Sequence, residues 1–313
     1  MTFAIRRLLL TIPVLVLVTL MVFSLIHLVP GDVATVILGE EATPQAKAQL
    51  DHQLGLDQPL PAQYVNWIGR VARGDLGNSL IDQTPVTEAI GQRLPVTAEL
   101  AIASFIVALL IAIPAGIFAA TFRGRLPDYV STMFAFVGMS VPSFWLGIMA
   151  IIFFAVRLRW LPSSGFPPLR DDPLGNLQAV LLPAVVTVFR EAAVLMRMLR
   201  SSLLEVMSMD FIRTARSKGL RKWTVIMRHA VRNALIPVAT SSGLAIAGLL
   251  GGLVLTETVF NIPGFGRLIV TAIFQRDFVT VQGAVLVSAL LVIGVNVIVD
   301  LTYAILDPRI RLS

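Results

Sequence analysis

Six runs of apolar residues, each about as long as a bilayer is thick, limit what this chain can become. They occupy Leu8–Val29, Ala98–Ala120, Tyr129–Val156, Leu177–Met196, Leu235–Leu255 and Val281–Ile305. A helix needs ~20 apolar residues to cross a hydrocarbon core of ~30 Å. Inside that core a helix satisfies every backbone amide and carbonyl within its own segment, which irregular chain cannot do. Composition agrees. Of 313 residues, 56% are hydrophobic and 14% charged, against about 25% charged in an ordinary soluble domain. The expectation is an all-α integral membrane protein with six transmembrane helices. The first run follows Arg6 and Arg7, as in a signal peptide. It exceeds a typical h-region, however, and Val29-Pro30-Gly31 makes a poor cleavage site, so it reads as a retained helix.

Charge orients the spans. With a cytoplasmic N-terminus, the inner segments are 1–7, 121–128, 190–234 and 306–313, and they hold 16 of the 25 Lys and Arg residues. That asymmetry follows the positive-inside rule and places both termini in the cytoplasm. It also accounts for most of the net charge of +6 without nucleic acid as a partner. Three parts follow: residues 1–29, a tail and first span; 30–97, an external segment; and 98–313, a five-helix core with a cytoplasmic loop at 200–234. The external segment mixes acids (Asp32, Glu40, Glu41, Asp51, Asp57, Asp75, Asp82, Glu88) with helix-forming stretches such as Pro44–Leu54. It reads as a cap on the spans, as a receiver for an external partner, or as both.

Several chemistries lack their residues. There is no GxxxxGK[ST] loop, and the three lysines (Lys47, Lys218, Lys222) precede Ala, Gly and Trp, so the chain supplies no Walker-type ATP site. His27, His52 and His229 are far apart and suggest no metal site. No GxSxG or HExxH occurs, no catalytic residue is expected, and zero cysteines exclude disulfides. Charges within the apolar runs are Arg190 and Glu191 in the fourth and Asp300, beside Asn296, in the sixth. Such groups are costly in hydrocarbon and face protein or water. Arg190 and Asp300 therefore stand either as a snorkelling or interhelical structural pair or as pathway residues. So few intramembrane charges disfavour a proton-coupled secondary transporter, and a passive channel likewise.

The segment Asp210–Pro237 (DFIRTARSKGLRKWTVIMRHAVRNALIP) carries seven Arg or Lys against the single acid Asp210. Asp210 reads as an N-cap toward the amides of Ile212 or Arg213. Phe211, Ile212 and Ala215 form an apolar strip at helical spacing, with Arg213 and Arg216 on a neighbouring face. Gly219 ends the helix at the position that favours positive φ. A second helix, about Trp223–Ala234, runs toward Pro237 in the first turn of the fifth span. Small residues at Thr214, Ala215 and Gly219 allow another surface to approach closely, which points to a docking site for a soluble partner. An amphipathic hairpin lying on anionic lipid is the competing reading; tethering to two spans argues against a DNA-binding helix-turn-helix.

This segment resembles the EAA loop of permease subunits in binding-protein-dependent ABC importers, of the dipeptide/oligopeptide/nickel branch. The general pattern is Glu-Ala-Ala, three residues, Gly, nine residues, then Ile-x-Leu-Pro. Aligned on Gly219, the chain has Arg213-Thr214-Ala215 in place of Glu-Ala-Ala and His229, Val231 and Arg232 in place of Ile, Leu and Pro. Only Ala215 and Gly219 keep the general consensus, whereas DFIRTARSKGL and RHAVRNALIP are similar to the peptide branch throughout. The resemblance extends through Arg6-Arg7-Leu8, Pro30-Gly31-Asp32, Gly74–Ser79, Arg93–Thr97, Ser140–Trp145, Trp160–Pro162, Thr256–Phe260, Pro263–Arg267 and Leu306–Arg309, and favours the first of two permease subunits.

The resemblance implies a multi-pass protein of the bacterial inner membrane, paired with a second homologous permease. Two ATP-binding subunits would use ATP and Mg, and an extracytoplasmic binding protein would deliver substrate; this chain would bind no cofactor. Asp210, Arg213, Thr214, Ala215, Gly219, Leu220, His229 and Asn233 are the coupling-loop residues. Peptide is the implied substrate, with nickel chelates, glutathione or another small solute as alternatives and a membrane scaffold as a remote one. Glu257, Pro263, Gly264 and Gly266, in the turn after the fifth span, either line an outer gate and contact the binding protein or form a structural turn. Pro142 is expected to kink the third span.

Overall fold

A computed structural model describes residues 2–28, 43–54 and 57–306. Among them the chain is helical almost throughout, and the described parts of the six apolar runs fall on helices, the third on two. These are α1 (Thr2–Leu28), α2 (Pro44–Leu54), α3 (Leu60–Val71), α4 (Val86–Thr121) and α5 (Leu126–Ser140). Next come α6 (Ser143–Ala150), continued as a π-helix through Ile151–Arg157, then α7 (Pro173–Met207) and α8 (Asp210–Ser217). After one turn at Lys222–Thr224 and a π-helix at Val225–Ala230 come α9 (Val231–Val259), α10 (Phe265–Phe274) and α11 (Phe278–Leu306). Among the described residues, α4, α7 and Phe278–Val299 of α11 are each long and apolar enough to cross a membrane. The expected features at Pro30-Gly31-Asp32, Glu40, Glu41 and Asp307–Arg309 lie outside the described residues.

The third apolar run is broken rather than kinked. Helix α5 ends at Ser140, α6 begins at Ser143, and the two axes differ by 106°. Val141 is extended (φ −83°, ψ 126°) and so is Pro142 (φ −62°, ψ 133°). A residue before proline is driven from the helical region by the ring; here the proline itself is extended too, so two consecutive residues leave the helix.

The chain divides into two compact units, 1–96 with 264–313, and 97–263. In the first, Val22, Trp67 and Leu286 are buried together, flanked by Phe23 and Tyr64, and Tyr64 shares a 2.8 Å hydrogen bond with Thr19. Helix α3 thus packs on α1 and α11. A second cluster joins Val86 and Ile90 of α4 to Phe265, Leu268 and Ala284.

The second unit is built on α7. Glycines let its neighbours approach to backbone distance: a Cβ at Gly116 of α4 would lie 3.0 Å from Leu199 Cβ and Met196 O. One at Gly138 of α5 would lie 2.9 Å from Ala193 Cβ. Membrane helices pack by such small-residue contacts because burial from lipid supplies little drive. Phe134 and Phe189 meet edge-on beside the second contact, ring centroids 4.7 Å apart. Thr187 of α7 and Thr256 of α9 share a buried 2.8 Å hydrogen bond.

Candidate functional site

Helix α8 is short, and its two faces meet different surroundings. Ile212 is fully buried and Ala215 nearly so, in one cluster with Leu199, Leu203 and Val206 of α7. That cluster also takes in Ala135 of α5, Val225 and Ile226 of the π-helix, and Ala230, Val231 and Ala234. Phe211 does not join them; it is 43% exposed. The expected apolar strip therefore splits, with Ile212 and Ala215 holding the helix to its own chain and Phe211 facing outward. Ala215 is small because the core behind it is close, not to admit a partner.

Two local expectations are corrected. The N-cap is Met209, in extended conformation (φ −72°, ψ 151°), and its carbonyl accepts from the amides of Ile212 and Arg213 at 3.1 and 3.3 Å. Asp210 is instead the first helical residue. Its carboxylate suits the positive end of the helix dipole and stands 3.6 Å from the Arg213 guanidinium, both fully in solvent. Pro237 is not in a first turn either. It sits inside α9, which runs on from the π-helix without a break; the Asn233 amide group donates to His229 O at 2.7 Å within this join. Gly219 is as expected, at φ +78°, with its amide donating to Arg216 O at 2.9 Å.

The outward face of the segment presents Arg213, Thr214, Arg216, Ser217, Lys218, Arg221, Lys222, Arg228 and Asn233, with His229 half-buried behind them. Between the cations stand Phe211, Leu220, Trp223 and Met227, each 41–51% exposed. A purely lipid-bound hairpin would bury its apolar side chains in one band. Here the apolar face is already spent on the protein core, and the exposed face interleaves knobs with positive charge.

The turn after α9 also differs from expectation. Glu257 lies in the last turn of α9, not beyond the span, and is fully buried. Thr97 Oγ1 donates to its Oε1 at 2.5 Å, so this side chain is not a surface contact. The helix ends in a Schellman motif: Asn261 takes φ +54°, and Ile262 N donates back to Glu257 O at 2.8 Å. Pro263 is exposed, and Gly264 and Gly266 are buried. Arg190 is exposed on α7; Asp300 lies on α11, its side chain outside the described residues.

The chain matches the family described as "Binding-protein-dependent transport system inner membrane component" over residues 112–312, and that family's N-terminal region over 1–101. The chain belongs to this family. It is thus a multi-pass permease component, whose family works with a separate binding protein. A Brucella abortus chain provisionally named as a peptide transport system permease is 44% identical over 306 residues, 98% of each chain. A glutathione transport system permease of Salmonella typhi is 42% identical over 311 residues, 99% of each. A solved amino acid ABC transporter aligns at TM-score 0.52 and 11% identity, over 69% of this chain and 93% of its own, a likeness of fold alone.

Two polar anchors of the permease escaped the sequence reading. In the second unit, Arg200 of α7 forks onto Asp128 of α5, Nε to Oδ1 at 2.6 Å and Nη2 to Oδ2 at 3.0 Å. The same carboxylate accepts from Gly124 N at 2.9 Å. In the first unit, Asp277 is 3% exposed and caps α11 by accepting from Thr280 N and Oγ1 at 3.2 and 2.7 Å. It also accepts from Ser79 Oγ at 2.6 Å and Leu80 N at 3.1 Å. The available signals were an acid just after Pro127 at a helix start, and Asp-x-x-Thr before the sixth apolar run.

Proposed function

We propose that this permease forms half of an ABC importer's pathway for di- or oligopeptides, and that the Asp210–Gly219 segment seats an ATP-hydrolysing partner on the cytoplasmic side. One observation carries the docking reading: Ile212 and Ala215 fix α8 in the core of four longer elements while Phe211, Arg213, Arg216 and Leu220 are left outward. A helix so held is stiff, and a push on its outer face moves the core behind it. The charge bias supports both termini and this segment being cytoplasmic. Hydrolysis, with its ATP and Mg, belongs to the two ATP-binding partners, and a second permease completes the path. The peptide assignment is supported by the Brucella relative's name.

Glutathione is the second reading, since a relative of nearly equal identity is named for it. Reconstitution with the ATP-binding partners, second permease and binding protein from the same gene cluster decides. ATP-dependent uptake of radiolabelled alanyl-alanine, exceeding that of glutathione and of a nickel chelate, is expected. Glutathione uptake alone would replace the peptide assignment. No ATP-dependent uptake of any solute from a fully assembled complex would remove the importer reading.

A further inference from the structure

We propose that the Asp128–Arg200 pair is a positioning device for transport, through which movement of α8 reaches the broken third span. The inference rests on the docking reading above. Arg200 lies on α7, seven residues before that helix ends and passes into α8. Leu199 and Leu203, its neighbours on α7, share the buried cluster with Ile212 and Ala215 of α8. Displacement of α8 therefore carries this part of α7 with it, because close-packed side chains shift as a body rather than yield.

From Arg200 the connection passes to α5. The guanidinium fork holds both oxygens of Asp128, fixing orientation as well as distance in a way a single bond does not. Asp128 simultaneously binds Gly124 N, so the α4–α5 turn and the first turn of α5 are gripped at one carboxylate. The pair is not a solvated surface bridge: the Asp128 side chain is 9% exposed and that of Arg200 27%. Further along α5, Gly138 touches α7 at backbone distance, and two residues later the helix stops at the 106° break. Helix α5 is thus a rigid rod clamped to α7 at its start, touching it again near its end, with the hinge just beyond. Without the clamp, α5 keeps only its packing contacts and can slide when α7 is driven.

The test uses the full complex in nanodiscs. The chain has no cysteine, so spin labels go to Phe136→Cys on α5 and Glu205→Cys on α7, both exposed. With the native pair, the label-to-label distance is expected to stay the same between nucleotide-free and ATP–vanadate states. In Asp128→Asn and Arg200→Gln it is expected to change with nucleotide, and alanyl-alanine transported per ATP hydrolysed to fall about fivefold or more, the scale of an ordinary coupling energy. Arg200→Lys keeps the charge but loses the fork; it is expected between the two and serves if the neutral variants do not assemble. A nucleotide-independent distance in the variants, or transport and hydrolysis falling together at a constant ratio, overturns the proposal. Phe211→Ala and Arg213→Ala provide the separate control. If they leave co-purification of the ATP-binding partners unchanged, the docking reading fails on its own readout.

Discussion

At the scale of single residues, Asp277 ties irregular chain to the start of α11. Its carboxylate gathers two hydroxyls and two amides from residues 79, 80 and 280. Truncation in Asp277→Ala strands several donors in a buried place, and each such group costs about 1–3 kcal/mol. A fall in thermal stability of the purified permease is therefore expected, read by scanning calorimetry. Asp277→Asn retains one acceptor oxygen and is expected to lose less; equal stability for both variants would show that the donors find water instead. Asp82 behaves differently. It is fully exposed, and its carboxyl is held below the usual range, first by the hydrogen bond from the Thr84 hydroxyl and then by the Thr84 amide. Because the folded value is the lower one, the contribution to stability is complete above the ordinary value of 3.8 and is lost as pH falls through the folded value. Hydrogen exchange at Thr84 should thus show no added opening of this turn between pH 8 and 5.

At the scale of elements, the glycines separate two kinds of failure. A Cβ at Gly219 meets nothing within 4 Å, so substitution there acts through φ +78° alone. The left-handed region costs an ordinary residue about 1–2 kcal/mol, and Asn tolerates it better. Transport per ATP hydrolysed should fall in the order Gly, Asn, Ala, Val while membrane insertion is kept and thermal stability falls by no more than the cost of that φ. Gly138→Val acts by contrast through space, since its Cβ would press Ala193 Cβ at 2.9 Å, and Ala215→Leu overfills the cluster behind α8. Overpacking of this sort costs about 1–3 kcal/mol, so both should lower stability as well as transport. Equal stability of Gly138→Val and the parent would mean that α5 is free to move away from α7. These elements also show how much was legible in advance. The helical nature of the apolar runs announced itself because a long apolar run in lipid has one solution, and Gly219 did because a glycine closing a helix has a specific use. The 106° break did not, since Pro142 signals a disturbance but not its angle. Nor did the burial of Glu257 or the Asp128–Arg200 fork, whose partners are 160 and 72 residues away; spacing in sequence carries no trace of such pairings. The split of Phe211 from Ile212 depended on where α7 and α9 stand, which the α8 sequence does not encode.

At the scale of the whole molecule, coupling depends on which side of the membrane the basic segment occupies. Positive charge is retained on the cytoplasmic side during insertion, and 16 of 25 Lys and Arg lie in the segments assigned there, seven of them between Arg213 and Arg232. The opposite orientation would require those seven to be translocated and would put Asp82 and Glu88 in the cytoplasm. Two single-cysteine variants discriminate. Ser217→Cys lies on the exposed face of α8, and Gln92→Cys is exposed on α4 just before its apolar run. In spheroplasts, a membrane-impermeant maleimide should label Gln92→Cys but not Ser217→Cys, and inverted vesicles should give the reverse. The inverted vesicles add a second observation. If an ATP-binding partner sits on the outward face of α8, Ser217→Cys should label when the permease is expressed alone and be protected when the partners are co-expressed. Labelling from the outside would invert the topology, and undiminished labelling in the assembled complex would leave α8 without an occupant. The cations and exposed aromatics would then serve the lipid surface, and the stiffness of the helix would have nothing to relay.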